Sequence, residues 1–267
     1  MKGRLITLLA VLAVLLMTVV PASAITFGVP DEGEHPNVGA MIAEFDGEYY
    51  IICSGALISP TVFLTAAHCT YDFAASGQQV YVSFDEVLDD PVMADATLIP
   101  GTPYAHPLFA TGGANNTYDI GVIVLDEPAS NYYPGIQPAQ LPTLGLLDQL
   151  AQKGGLVEQY FTAVGYGTNR TDKTHAFQSL YFLGERWKAD SEFLALNKAW
   201  LRLSQNPSSG SGGTCYGDSG GPNFLGDTNI IAGITVTGDR FCRATNTTYR
   251  VDTVYAREFL AQFVTLP

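Results

Sequence analysis

Gly212-Gly213-Thr214-Cys215-Tyr216-Gly217-Asp218-Ser219-Gly220-Gly221-Pro222 is the stretch on which the reading of this 267-residue chain turns. A serine hydroxyl is a poor nucleophile in water. A chain that uses one must hold it clear of the backbone, beside a base, with amide donors aimed at the developing oxyanion. The flanking glycines allow that. Gly217 lets the backbone turn its N–H toward the same point as the N–H of Ser219, and Gly220 and Gly221 leave room for a substrate carbonyl. Taken alone, the same run also reads as a plain turn, because Gly, Asp, Ser and Pro are the commonest turn residues.

Two further stretches decide between these readings. Leu64-Thr65-Ala66-Ala67-His68-Cys69 lies upstream, and Asn116-Thr117-Tyr118-Asp119-Ile120-Gly121 lies between it and the serine. His, Asp and Ser thus occur in that chain order, and the three motifs together resemble the chymotrypsin-like (trypsin-fold) serine endopeptidases. The resemblance implies an all-β fold of two packed antiparallel Greek-key β-barrels with a C-terminal α-helix. It also implies a catalytic set of Ser219 as nucleophile, His68 as general base and acid, and Asp119 as the group that fixes the imidazole tautomer. The N–H groups of Gly217 and Ser219 would form the oxyanion hole. A protein or peptide is the implied substrate, with no cofactor and no catalytic metal.

Lys2 and Arg4 precede a nearly unbroken apolar run from Leu5 to Val20, followed by Ala22-Ser23-Ala24, which reads as a signal peptide over residues 1–24 cleaved after Ala24. The expectation is a secreted protein, monomeric and free of the membrane once cleaved. Loss of Lys2 and Arg4, with no acids lost, deepens the net charge from −13 to −15, which argues against a nucleic-acid partner. Charged residues make up 15% and hydrophobic ones 47%, and the 27 glycines and 15 prolines are scattered, a pattern of many short strands joined by tight turns.

The pattern from residue 25 to 141 is that of a first barrel carrying His68 and Asp119. Its strands are expected at Ala40 to Glu44, Tyr49 to Ile52, Thr61 to Thr65, Val80 to Phe84, Thr97 to Ile99 and Ile120 to Leu125. Pro138, Pro142 and Gly145 mark a crossover, and residues 142–267 form the second barrel, carrying Ser219. That half opens on Phe161-Thr162-Ala163-Val164-Gly165-Tyr166-Gly167, which resembles the family's glycine-aromatic-glycine strand and would bring the backbone close to the first domain. Further strands are expected near Ser179 to Leu183, Ala199 to Ser204, Ile230 to Val236 and Thr248 to Val251, with Ala189 to Ser204 open between helix and strand. At the end Asp252 is positioned to cap a helix in which Tyr255, Phe259 and Phe263 form one apolar stripe.

Four cysteines in an exported chain should be paired, and spacing does not choose among three connectivities. Pairing Cys53 with Cys69 would tie down the turn at His68, and pairing Cys215 with Cys242 would tie down the nucleophile loop. The resemblance implies the same two bonds. It also places the specificity pocket at Gly213, Thr214, Gly238 and Thr247. Gly213 stands six residues before Ser219, where trypsin-like members carry an aspartate, so an uncharged apolar residue is expected before the scissile bond. A buried carboxylate at Asp218 needs a cation. In the family a freed N-terminal ammonium supplies it, and here Ile25 would be freed by signal cleavage, although Ile25-Thr26-Phe27-Gly28 departs from the usual Ile-Val-Gly-Gly start.

Val236-Thr237-Gly238 also departs from the family's Ser-Trp-Gly. Asp85, Glu86, Asp89, Asp90 and Asp95 form an acidic loop, read as solvated, and Asn115, Asn169 and Asn246 begin Asn-x-Thr sequons. The other histidines, His35, His106 and His175, read as loop residues. A catalytically silent binding protein on the same fold is the alternative function. The intact triad, oxyanion-hole residues and Asp218 weigh against it.

Overall fold

The structure, a computed structural model, describes residues 25–88, 93, 95–169, 181, 182 and 184–267. The expected leader over residues 1–24, His175, Asp89 and Asp90 lie outside the described residues.

Fifteen strands and three α-helices are described. The chain opens with β1 (Val29–Pro30) and then lays down β2 (Val38–Phe45), β3 (Glu48–Ser59) and β4 (Val62–Thr65), which leads into helix α1 (Ala67–Ser76). After β5 (Val80–Ser83), β6 (Ile99–Ala105) and β7 (Gly121–Leu125) come α2 (Leu146–Gln152), β8 (Tyr160–Gly165) and the small hairpin of β9 (Thr168–Asn169) with β10 (Tyr181–Phe182). The remainder is β11 (Trp187–Leu196), β12 (Trp200–Ser204), β13 (Pro222–Leu225), β14 (Ile231–Gly238), β15 (Thr245–Arg250) and α3 (Val254–Leu260).

Two closed antiparallel barrels of six strands result. The first runs β2-β3-β4-β7-β6-β5 and closes through the β2–β5 pairing. The second runs β8-β11-β12-β15-β14-β13 and closes through β13–β8, with β1 added on β11. Closure leaves no long sheet edge on either barrel. The first barrel is filled by Met41, Leu57, Phe63, Leu64, Val82, Val122 and Ile123, and the second by Phe161, Leu201, Leu203 and Ala232.

The termini cross over. The N-terminal segment pairs with the second barrel through β1, while the stripe on the C-terminal helix packs on the first. Phe263 lies 5.2 Å from Tyr104, Phe259 5.3 Å from His106 and Tyr255 5.4 Å from Tyr118, all centroid to centroid. The helix begins one residue later than expected. Thr253 is its N-cap, accepting from Ala256 N, because Asp252 is occupied elsewhere, bonded to Arg250 and to the Leu147 amide. Residues 189–204 hold the end of β11 and all of β12, joined by a short connection at 197–199, with no helix, and β6 runs on from Ile99 through Pro100 and Pro103.

Between the barrels lies a buried polar knot. Arg186 donates to Asp31 (2.8 Å), to the carbonyls of Val38 and Phe84, and to the Tyr166 hydroxyl, which in turn donates to the Asp85 carbonyl at 2.6 Å. His35 completes the pairing of Asp31 from the other side at 2.6 Å. Burial alone would raise the Asp31 pKa, but the bonds from His35 and Arg186 outweigh it and hold the carboxyl at about 2. Burial pushes the Tyr166 hydroxyl far above its usual range.

Candidate active site

His68 sits in the first turn of α1, a helix absent from the expected elements. The first amides of any helix lack intrahelical partners. The His68 amide finds its partner in Asp119, whose Oδ1 accepts it at 2.9 Å, while Oδ2 lies 2.9 Å from His68 Nδ1. Asp119 is almost wholly buried, at the entry to β7, and the His68 side chain is one-third exposed. Two-point capture by one carboxylate fixes both the position and the face of the imidazole. It leaves Nε2 as the nitrogen free to act.

The nucleophile loop is seated against the same barrel. Ser219 O accepts from the Ser54 amide at 2.9 Å, and Ser54 Oγ donates to Gly217 O at 3.0 Å. Cys69, next to His68, is disulfide-bonded to Cys53, and Cys215 is bonded to Cys242. The Cys69 Sγ lies 3.9 Å from Ser219 O. Gly217 takes φ +97°, a conformation that L side chains rarely adopt. Among the described residues, the N–H groups of Gly217 and Ser219 donate to nothing, so both are open to a substrate oxygen.

Asp218 is fully buried. Its Oδ1 accepts from Gly167 N and its Oδ2 from Cys215 N, both at 2.8 Å. Burial raises its pKa from 3.8 to about 7, and the two amide bonds only partly offset this. Gly165 and Gly167 exist for this carboxyl: a Cβ on either would come within 2.3 to 2.5 Å of it. The expected reason for those glycines, a close pass by the first domain, is secondary. Among the described residues no salt bridge reaches Asp218, and Ile25 is not bonded to it. The physical reason is that in the unprocessed chain the Ile25 nitrogen is a peptide amide, not an ammonium. Ile25 instead packs its side chain on Trp187 and Ala189, and Trp187 pairs with Gly165, so the segment lies one strand from the carboxyl.

A cavity of about 190 Å³ opens beside Ser219, walled by Thr214, Tyr216, Val236, Thr237, Gly238, Asp239 and the Cys215–Cys242 bridge. Of the four expected pocket residues, Thr214 and Gly238 line it and the other two do not. Gly213 lies behind Thr214, against Gln205. Thr247 pairs with Thr237 and Arg202, and its neighbour Asn246 is the cross-strand partner of Gly238. Asn246 is fully buried and does not line the cavity either. Burial alone would raise the pKa of Asp239, but the amides of Thr245, Ala244, Arg243 and Phe241 more than offset it and hold the carboxyl below its usual range.

Other expected features are occupied. Asp85 accepts from Thr97 N and the Tyr133 hydroxyl, and Glu86 accepts from Gly33 N. Asn246 is fully buried and its amide donates to Asn223, so this sequon is closed in the folded chain. His106 is buried in an aromatic nest with Tyr118 and Phe259, and burial lowers its pKa. Cys53, His68 and Cys69 cluster closely enough to suggest a metal site, but the disulfide leaves no thiolate to ligate one. No helix among the described residues is long and apolar enough to cross a membrane.

Comparison with known proteins agrees with this geometry. A family model described as Trypsin matches residues 30–260. The CLIP domain-containing serine protease B15 of Anopheles gambiae is 29% identical over 84% of this chain and 65% of its own length. The collagenase of Hypoderma lineatum is 26% identical over 68% of this chain and 64% of its own length. The chain thus spans just under two thirds of the length of these two relatives. Among solved structures, neuropsin, a serine protease expressed in mouse brain, aligns over 90% of this chain and all of its own, with a TM-score of 0.64 and 21% identity, a likeness of fold.

Proposed function

The chain belongs to the trypsin family of serine proteases, and from that premise we propose that it is a secreted endopeptidase hydrolysing peptide bonds through an acyl-enzyme on Ser219. The observation that carries the reading is the two-point capture of His68 by Asp119 beside a nucleophile loop with two free amides. With Nδ1–H held by Asp119, His68 Nε2 takes the Ser219 proton as Oγ attacks the substrate carbonyl. The oxyanion forms between the N–H groups of Gly217 and Ser219. His68 then protonates the leaving amine, and water, deprotonated by the same nitrogen, releases the acyl group. Asp119 stays ionised and stabilises the imidazolium.

The cavity beside Ser219 is the specificity pocket in this reading. Its wall acid, Asp239, is ionised but has both oxygens engaged by four backbone amides, and Gly213 brings no charge, so the preferred side chain before the scissile bond is uncharged with an apolar body, not Arg or Lys. Secretion is supported by the leader-like residues 1–24 and the two disulfides. Release of Ile25 by signal peptidase would provide the ammonium that Asp218 lacks.

A fluorophosphonate should label Ser219 alone, and Ser219→Ala should abolish labelling and lower kcat by a factor on the order of 10⁶. A folded, secreted protein that takes no label and cleaves no peptide or ester library would instead be a binding protein on this fold.

A further inference from the structure

Next to the cavity beside Ser219 lies a buried carboxamide with nothing to bind. Among the described residues seven buried side-chain oxygen or nitrogen atoms lack a hydrogen-bond partner, and four of these belong to Thr26, Gln205 and Asn246. All three residues are fully buried. Thr26 pairs through its backbone with Gly213, and Asn246 stands across the ladder from Gly238. The Gln205 carboxamide fills the space between those two glycines: a Cβ on Gly213 would lie 2.3 Å from Oε1, and one on Gly238 3.5 Å from Nε2. An unpartnered buried polar group costs roughly 1–3 kcal/mol, so the two on the one Gln205 carboxamide mark a side chain maintained for something other than stability.

We propose that Gln205 is a specificity-determining residue, its carboxamide the floor of the cavity, and that the side chain preferred before the scissile bond combines an apolar stem with a neutral carboxamide end, namely glutamine. The inference rests on the endopeptidase reading and on this cavity as its specificity pocket. Gly238 lines the cavity and carries no side chain, and the Gln205 amide, in the space that a Cβ on Gly213 or Gly238 would approach, adjoins the cavity there. The terminal torsion of a glutamine is soft, which lets the amide turn an edge toward an arriving group. Its N–H and C=O are both unspent, and a second carboxamide answers both at once with two reciprocal hydrogen bonds. Val236 and the Cys215–Cys242 bridge suit the methylenes of such a side chain. A carboxylate end would meet the like charge of Asp239, and a cationic end would find both oxygens of that acid already engaged by four amides. A wholly apolar end would leave the floor unpartnered, and this is the case in which hydrogen-bonding sites discriminate most strongly.

The test is a set of peptides differing only in the residue before the scissile bond, assayed with the secreted protein. Glutamine should exceed methionine, its near-isostere without hydrogen-bonding groups, by about tenfold or more in kcat/KM. Gln205→Met should reverse that order, and Gln205→Glu should move the preference toward lysine. A wild-type protein that cleaves after methionine at least as well as after glutamine overturns the proposal whether or not the variants fold. So does a folded Gln205→Met with an unchanged ratio. Fluorophosphonate labelling separates the two levels of failure. A protein labelled at Ser219 but indifferent to glutamine loses this inference alone, whereas one that takes no label loses the endopeptidase reading and this inference with it.

Discussion

The carboxyl of Asp218, buried with two amide bonds and no cation, has a pKa raised from 3.8 to about 7, and that shift has a sign that can be checked. Where the folded pKa of an acid lies above the unfolded one, the native state binds more protons, and stability falls as pH rises between the two values. The unprocessed protein should therefore lose stability from about pH 4 to pH 7 and then level off. Asp218→Asn, which stays neutral, should flatten that slope in thermal melts recorded across the range. A slope unchanged in the variant would mean that another group titrates. At this scale His68, Asp119 and Ser219 were legible in the sequence because their chemistry demands particular residue types with small neighbours, and such runs are conspicuous. Gln205 was not. It stands between Ser204 and Asn206 with no motif around it, and only the fold brings it beneath Gly213 and Gly238. Thr247 was placed in the pocket, which it does not line, because the phase of a strand's alternation depends on register, which the chain alone does not set.

Among the elements, the strands with β-branched runs were readable, and those interrupted by proline or unusual chemistry were not. The strand expected at Thr97 to Ile99 meets β6 only at Ile99, since proline donates nothing to a ladder and Pro100 read as its end, yet the Pro100 carbonyl accepts from the Asp126 amide and the strand runs on to Ala105. Helix α1 was missed because Thr70, Tyr71 and Phe73 read as strand residues and no side chain caps its start. What holds its first turn is Asp119, from a distant strand. The elements are joined across the barrels by the Arg186 knot, which is equally invisible in sequence. Arg186→Met should remove the partner of a buried carboxylate and cost about 3 kcal/mol, measured by chemical denaturation at neutral pH. Because the Asp31 pKa is depressed, to about 2 from 3.8, its share of stability is present above about pH 4 and is lost as pH falls toward 2. The wild type and the variant should converge in that acid window. A constant difference down to pH 2 would place the effect in packing instead of the ion pair.

On the scale of the molecule, the two-barrel architecture was legible from the order of the three motifs, but the exchange of termini was not, since it depends on which barrel each end meets. The N-terminal segment crosses to the second barrel and buries Ile25 against Trp187 and Ala189, while Thr26 pairs with Gly213 on the wall of the nucleophile loop. The segment is thus already seated on the second barrel, one strand from the Asp218 carboxyl, before any cleavage. That arrangement makes a specific prediction for a mature protein extended by a few residues before Ile25. The extension should unfold nothing, because the seated contacts do not require a free end. It should nevertheless leave Asp218 without its ammonium, so that the Gly217 amide is not locked toward the oxyanion. Each donor in such a hole supports roughly 3 kcal/mol of transition-state stabilisation, so kcat should fall by two orders of magnitude or more while the melting temperature changes little. The protein ending at Ile25 should also lose activity as that amine deprotonates, above its ordinary pKa of about 8 and later if the pair is strong. Parallel measurement of kcat and melting temperature for the two forms decides the matter. Full activity in the extended form would leave the amides of Gly167 and Cys215 as the whole support of Asp218, sufficient on their own to hold the loop in its working shape.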